Sequence, residues 1–404
     1  MKFHSLSEEK KNILLSVPTP SYVLDEENLI KNLERIKYIQ DRSGCKVLLA
    51  QKCFSTTAMY PLLAKYLHGT VASGLYEARL AHESFPGGEN HVFEPAFHAK
   101  DMPEIARMCD HIIFNSWNQF NKHKESCRSL SIGIRINPEY STQCAEHAIY
   151  DPCAPGSRLG IRIEDMPDTL PPEIEGFHMH TLCEQYVEDL LQTFKAVEAK
   201  FGKYLPQLKW FNLGGGHYIA HDEYEVEKLI SFLNYVRETY DLQVYLEPGE
   251  GIVLNAGYMV TEVMDKVHNG LDILILDTSA ACHFPDVIEG PYLPPIYGGY
   301  EVPGGNALRM AHPKALTALL EQHPNLYRLS SMTCLAGDVI GDYAFDAPYE
   351  IGDKLILQDM ALYTIVKNNT FNGMPLPDIR VMRADGKIEL LKSFDYEDFK
   401  NRLA

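Results

Sequence analysis

Short apolar runs alternating with amphipathic stretches set the rhythm of the first 250 residues. Eight runs of strand length recur, at 47–50, 70–72, 91–93, 111–114, 132–136, 174–179, 209–213 and 244–247. Between them, 60–67, 77–85, 102–108, 118–127, 187–201 and 224–240 carry apolar residues at helical spacing. Strands buried on both faces read as unbroken apolar runs, so eight of them alternating with helices predict a (β/α)8 barrel. Ahead of the barrel, 20–24 predicts a strand, and Asp25 can cap a helix whose apolar face carries Leu29, Leu33 and Ile36. One link is irregular: the Pro- and Gly-rich segment 138–172 is long for a loop, which suits a cover over the barrel mouth or an arm toward a partner subunit.

Beyond about Gly251 the pattern turns β-rich, with strands predicted at 258–266, 271–276, 327–329, 354–357, 379–382 and 388–391 and an inserted helix at 311–322. The resulting division is an N-terminal strand and helix over 1–40, a barrel over 41–250 and a mostly β domain over 251–404.

Composition narrows the functional classes. The chain has 404 residues, 45% hydrophobic and 23% charged, as expected of a globular protein of one large or two medium domains. Its net charge of -18 disfavours nucleic acid or an anionic membrane as partner and suits a cationic ligand, besides favouring solubility. Nine cysteines without a C-x-x-C pair predict free thiols in a reducing cytoplasm. The amino terminus has neither the long apolar stretch nor the small-residue cleavage site of a signal peptide, and no apolar run approaches the roughly 20 residues of a membrane span.

In a barrel of this kind the strand ends share one mouth, which would collect Lys52, Ser73, Glu94, Asn115, Asn137, His178, His180, Gly214 to Gly216 and Glu247. Lys52, in KVLLAQKCF, is a strand-end amine; desolvated there, it loses its proton near neutral pH and can condense with an aldehyde, whereas a solvated lysine cannot do so readily. The glycines of FNLGGG let backbone N–H groups approach a phosphate, though glycines also serve ordinary turns. Glu247, in LEPGE, can hold a proton on a pyridine nitrogen; its bland alternative is a solvated turn residue. His178 and His180 alternate on one strand, a spacing open to a metal, to stacking on an aromatic cofactor or to plain core packing; without the usual acidic companions no metal is expected. Cys334, in TCLAGD, is a thiol able to deliver a proton, or simply a small buried hydrophobe.

Together, TPSYVLD, QKCF, ASGLYEA, GFHMHTLCE, NLGGGH, LEPGEG, LDTSAACHFPDVIEGPY, TCLAGDVIGDY and MALYTIVKNNTFNG resemble the alanine-racemase-fold decarboxylases that use pyridoxal phosphate. The resemblance covers nearly the whole chain and points to the branch acting on carboxylated polyamines. It implies a cytoplasmic homodimer of barrel plus β domain with shared active sites. It further implies that Lys52 holds pyridoxal 5'-phosphate through its aldehyde, that His178 stacks on the ring and Glu247 pairs with its nitrogen. Gly215, Gly216 and Tyr363 would hold the phosphate, and Cys334 of the other subunit would return a proton after carbon dioxide leaves. Glu250, Asp286 and Asp338 are the acids expected to bind substrate ammonium groups. Glu250 stands where ornithine- and diaminopimelate-decarboxylating relatives have arginine, and an acid there suits several ammonium groups better than a distal carboxylate. Ser331-Met332 stand where relatives often have Gly-Pro, and the insertion 306–325 is longer than the family pattern. The competing readings are a diaminopimelate, ornithine or lysine decarboxylase, a non-catalytic pyridoxal phosphate carrier, and a metal-dependent barrel hydrolase using His178 and His180.

Overall fold

A computed structural model describes residues 6–143, 150–290, 292–302 and 313–403. The chain divides into two compact units, one from Lys31 to Ile252 and one combining the chain up to Ile30 with everything from Val253 onward.

The strand β1 (Ser21–Asp25) belongs to the second of these. The first is a closed barrel of eight parallel strands, β2 (Lys46–Ala50), β3 (Gly69–Ala72), β4 (Glu89–Phe93), β5 (His111–Phe114), β6 (Ser131–Arg135), β7 (Ile174–His178), β8 (Trp210–Asn212) and β9 (Gln243–Leu246). All eight are the runs that the apolar pattern picks out, because burial on both faces leaves little room for polar residues. The helices Leu75–Ser84, Met102–Met108, Trp117–His123, Val187–Phe201 and Val226–Tyr240 follow their strands. Between β6 and β7 the described residues include a short 3-10 turn, Ile163–Asp165; Ile161 is bridged to Ile136 there, and the Tyr204 hydroxyl donates to Pro167 O at 2.6 Å.

The barrel interior is closed by Trp210, whose indole occupies the room left by two strand glycines. A Cβ on Gly133 or Gly176 would lie 2.2 or 2.0 Å from that ring, so no larger residue fits at either position. Below Trp210, at the amino ends of the strands, Glu89 accepts from Lys46 Nζ and from the Tyr245 hydroxyl (2.9 Å) and meets His91 Nε2 at 2.9 Å. His91 and His111 stack there, with centroids 3.9 Å apart and planes within 7°.

The second unit is built on a nine-stranded sheet. Its further strands are β10 (Gly257–His268), β11 (Asp272–Leu276), β12 (Gly299–Glu301), β13 (Leu326–Ser331), β14 (Val339–Phe345), β15 (Lys354–Gln358), β16 (Asp378–Met382) and β17 (Ile388–Lys392). The order is β12-β14-β13-β11-β10-β1-β16-β17, with β15 also on β10. Thus β1 is a strand of this sheet, antiparallel to β10 and parallel to β16. Tyr22, Met259, Leu274, Leu329, Phe284 and Leu357 pack its core. Two strands, β12 and β14, escape the apolar pattern. In β14 the Gly341-Asp342 pair reads as a turn, but Gly341 leaves room for Leu293, and Asp342 is bound bidentately by Arg328 on the neighbouring strand at 2.8 and 2.9 Å. The inserted helix runs over Pro313–Gln322; residues 303–312 and 144–149 lie outside the described residues.

Burial lowers the proton affinity of His111, to about 3, helped by its neighbour His91. An unfolded His111 therefore takes up a proton below about pH 6.5 that the folded one refuses, and stability is lost as the pH falls from there. Glu89 acts in the same direction: burial pushes its carboxyl up, but His91 and Lys46 outweigh that, and the stability it contributes is lost as acid protonates it. Relief of the -18 net charge opposes both. The test is therefore a comparison: His111→Phe, which keeps the ring stack but cannot titrate, is expected to show a shallower fall in melting temperature between neutral and mildly acidic pH than the unchanged protein. Identical slopes would remove this explanation.

Candidate active site

At the carboxyl ends of the barrel strands, polar side chains converge on one buried carboxylate. Glu247, directly after β9, is 7% exposed; its Oε1 accepts from Asn212 Nδ2 at 2.6 Å and its Oε2 lies 3.2 Å from His178 Nε2. Burial raises the carboxyl's proton affinity, but His178 and the Asn212 amide more than offset it, and the net shift is downward, so Glu247 is ionised. Burial lowers the proton affinity of His178 too, reinforced by Arg135 and Lys52 against the pull of Glu247. A neutral His178 then donates from Nε2 to Glu247, which leaves Nδ1, buried and without a partner, as an acceptor.

The glycine loop is tied to the same carboxylate. Asn212 Oδ1 accepts from Gly214 N–H (2.9 Å), and Glu247 N–H donates to Gly214 O (2.8 Å). Gly214 and Gly216 have φ of +73° and +80°, and a Cβ on them would meet Met179 O at 2.3 Å and Leu182 O at 2.0 Å. A Cβ on Gly215 would meet Glu247 O at 2.2 Å. The loop after β7 therefore runs hard against the glycines, and His180 Nδ1 accepts from Gly215 N–H at 3.0 Å. That bond requires His180 to be neutral with its proton on Nε2, in keeping with the downward shift that burial and the nearby Lys52 impose.

Lys52 stands in the turn after β2, where Gln51 N–H donates to Val71 O and Cys53 N–H to Ala50 O, both at 3.1 Å. Solvent reaches its side chain, yet protein atoms crowd the mouth around it. That crowding, with the Arg135 cation second and against the attraction of Glu247, lowers the proton affinity of the amine.

Sequence reasoning missed Arg135, Asn212, Phe93 and Thr181. Arg135, 5% exposed at the end of β6, donates to His180 O at 2.9 Å and lies 4.8 Å over the Phe93 ring, which in turn stacks on His178 at 5.5 Å. Burial brings the guanidinium down to about 10, so it stays charged. Its one sequence signal was a cation within the apolar run IGIRI. Thr181 Oγ1 is buried without a partner beside the glycine loop.

Other strand-end residues support rather than converge. Asn115 binds Arg158 O and Gly160 N–H, both at 2.8 Å, and Asn137 Oδ1 accepts from Glu139 N–H at 2.8 Å, which fastens the 138–172 segment. Ser73 N–H donates to Glu77 Oε2 at 2.6 Å, and the Lys52 charge acts on that carboxyl. Among the described residues, the group spaced for a metal is Glu89, His91 and His111, at the opposite end of the barrel from His178 and His180. Its two imidazoles stack in parallel, with both Nε2 atoms near Glu89 Oε2 at 2.9 and 3.8 Å.

Glu250 sits half-buried in the first turn of the short helix Gly249–Val253. The sheet unit carries the remaining residues. Asp286 opens the helical turn Asp286–Glu289, and both of these acids accept from Lys367 Nζ. Tyr363 has a φ of 48°, a left-handed conformation uncommon for a bulky residue and frequent at functional sites. Cys334 is exposed. Asp338 departs from its expected role as a substrate contact: at 1% exposure its two oxygens are engaged by Ser279, Ser331, Thr333 and Ala281 of its own unit, so it faces inward.

Residues 21–361 match the family of the pyridoxal-dependent decarboxylases, C-terminal sheet domain. The chain is 40% identical over 386 residues to the carboxynorspermidine/carboxyspermidine decarboxylase of Campylobacter jejuni, covering 96% of this chain and 98% of that protein. It is 39% identical over 394 residues to the carboxyaminopropylagmatine decarboxylase of Synechocystis, covering 96% of each. Among solved structures, carboxynorspermidine decarboxylase of Campylobacter jejuni in complex with norspermidine aligns at a TM-score of 0.85 and 38% identity, over 96% of this chain and 100% of that one.

The depressed amine makes a direct prediction. In protein stripped of any bound aldehyde, formaldehyde with cyanoborohydride near neutral pH is expected to methylate Lys52 well ahead of exposed, ion-paired lysines such as Lys387. Peptide mass spectrometry reads the order, and equal rates would contradict it.

Proposed function

The chain belongs to the pyridoxal-dependent decarboxylases with a C-terminal sheet domain, and from that premise we propose that it decarboxylates carboxynorspermidine or carboxyspermidine to norspermidine or spermidine in polyamine biosynthesis. The observation that carries the assignment is the mouth itself: an amine of lowered proton affinity beside an ionised, buried carboxylate and a loop of three glycines.

Pyridoxal 5'-phosphate fits this set of residues. Thr181 Oγ1 is buried without a hydrogen-bond partner beside the glycine loop, and that loop packs so closely on Glu247 O and Leu182 O that only glycine fits at 215 and 216. When bound, the cofactor supplies an aldehyde for the substrate amine and a ring that draws electrons from the bond to the departing carboxyl. Lys52 would hold the cofactor through its aldehyde, and the lowered proton affinity of its amine favours the form able to do so. Glu247 would keep a proton on the ring nitrogen, and His178, braced by Phe93 and Arg135, would pack against the ring. Gly215, Gly216 and Tyr363 would hold the phosphate. Cys334 of a second copy returns a proton to the substrate carbon, which makes the working form a homodimer with shared sites. The proposed location is cytoplasmic, in keeping with the lack of a disulfide among the eight described cysteines.

The substrate assignment rests on acids. Glu250 stands at the mouth in place of the relatives' arginine, and Asp286 with Glu289 already holds an alkylammonium group, that of Lys367. A diaminopimelate substrate would bring a distal carboxylate among them, at a cost in like-charge repulsion. A second polyamine reading is favoured by the near-equal identity to the carboxyaminopropylagmatine enzyme, whose substrate name also denotes a cationic chain.

Two measurements test this. In a panel of carboxynorspermidine, carboxyspermidine, carboxyaminopropylagmatine, diaminopimelate, ornithine and lysine on cofactor-loaded protein, carbon dioxide release is expected at the highest kcat/KM with one of the first two, and Lys52→Ala is expected to abolish it. Highest turnover of an amino acid would refute the polyamine reading. Separately, Glu250→Gln is expected to raise KM roughly tenfold, the ~1.4 kcal/mol scale of one charge-assisted contact, with kcat little changed. An unchanged KM would remove Glu250 from the substrate site.

A further inference from the structure

Asp338 is a carboxylate buried in the sheet unit and met by uncharged donors. Its Oδ2 accepts from the hydroxyls of Ser279 (2.6 Å), Thr333 (2.6 Å) and Ser331, and its Oδ1 from Ala281 N–H (3.1 Å). These donors come from two separate stretches. Ser331 ends β13 and Thr333 immediately precedes Cys334; Ser279 caps the helical turn Ala280–His283, which leads directly into Asp286. Asp338 also closes the far side of the cysteine loop, donating from its N–H to Leu335 O (2.9 Å) and accepting at its carbonyl from Ser330 Oγ (2.8 Å). Cys334 thus lies in a loop fixed at both ends to one residue while its own side chain remains exposed.

We propose that Asp338 is a positioning residue that locks the Cys334 loop and the 279–286 segment into one body, so that thiol and Asp286 carboxylate are presented in fixed relation. The proposal rests on the reading of Cys334 as proton donor and Asp286 as ammonium ligand. Only a group that accepts at both atoms suits a ring of three hydroxyls and an amide; an asparagine would turn its own donors on some of them. Ser331 is part of the device, since it supplies a hydroxyl where relatives often have glycine. A thiol that must reach one carbon loses rate when its loop wanders, whereas substrate affinity depends on it little.

The experiment uses holoenzyme and two readouts: steady-state kinetics, and the iodoacetamide alkylation rate of Cys334 followed by peptide mass spectrometry, which does not depend on turnover. Thr333→Val removes one hydroxyl at nearly constant shape. It is expected to lower kcat about tenfold with KM unchanged and to shift the alkylation rate at least about threefold, while Thr333→Ser restores both. Asp338→Asn is expected to do the same more strongly, and adding Thr333→Val to it is expected to change little further. Should Asp338→Asn fail to fold, the Thr333 pair decides alone. Unaltered alkylation and kcat in Thr333→Val, or a loss that Thr333→Ser does not rescue, would overturn the proposal. Full activity in Cys334→Ala would instead overturn the proton-donor reading, with the alkylation shift in Thr333→Val still reporting on the lock.

Discussion

A carboxylate buried in the mouth of a barrel must be met by donors or cations, and the arrangement around Glu247 follows from that requirement. Asn212 satisfies one oxygen and His178 the other, and because Asn212 also receives the Gly214 N–H, satisfying the acid fixes the glycine loop in the same stroke. The long-range charge is balanced by Arg135, a guanidinium stacked on Phe93, which stacks in turn on His178. Moving Asn212 or His178 leaves a Glu247 oxygen unmet, and moving Asn212 also frees the Gly214 N–H. Rigidity at this mouth is therefore a property of a closed hydrogen-bond circuit more than of packing alone.

The sheet unit solves a similar problem with different means. Asp338 is equally buried, but hydroxyls and an amide stabilise it without a cation. The two acids serve different ends. The Glu247 network holds charge where a cofactor ring is expected to need it, and the Asp338 network holds backbone in place beside a thiol. A cation near Asp338 would add nothing to the second task.

Charge also sorts what the mouth can accept. The family scaffold is shared by enzymes for several amino acids, and under the proposed function acids such as Glu250 and Asp286 would favour chains bearing several ammonium groups. The -18 net charge extends that bias to the approach of a polycation, since a field of one sign raises the local concentration of the other.

The eight barrel strands were legible in the sequence because each is buried on both faces, which forces an uninterrupted apolar run whatever its neighbours are. Lys52, His178 and Glu247 were legible for a related reason: they are the polar residues that end such runs, and strand ends of a barrel share one mouth. The role of β14 was not, since Gly341-Asp342 looks like a turn until Arg328 is placed opposite it. Nor were Arg135 and Asn212, or the hydroxyls that meet Asp338. An isolated polar residue in a sequence carries no mark of its partner, and the partners here lie on other strands or on segments some 59 positions away. Periodicity reports which side of an element faces inward; which side chain it meets there is decided only when the chain has folded.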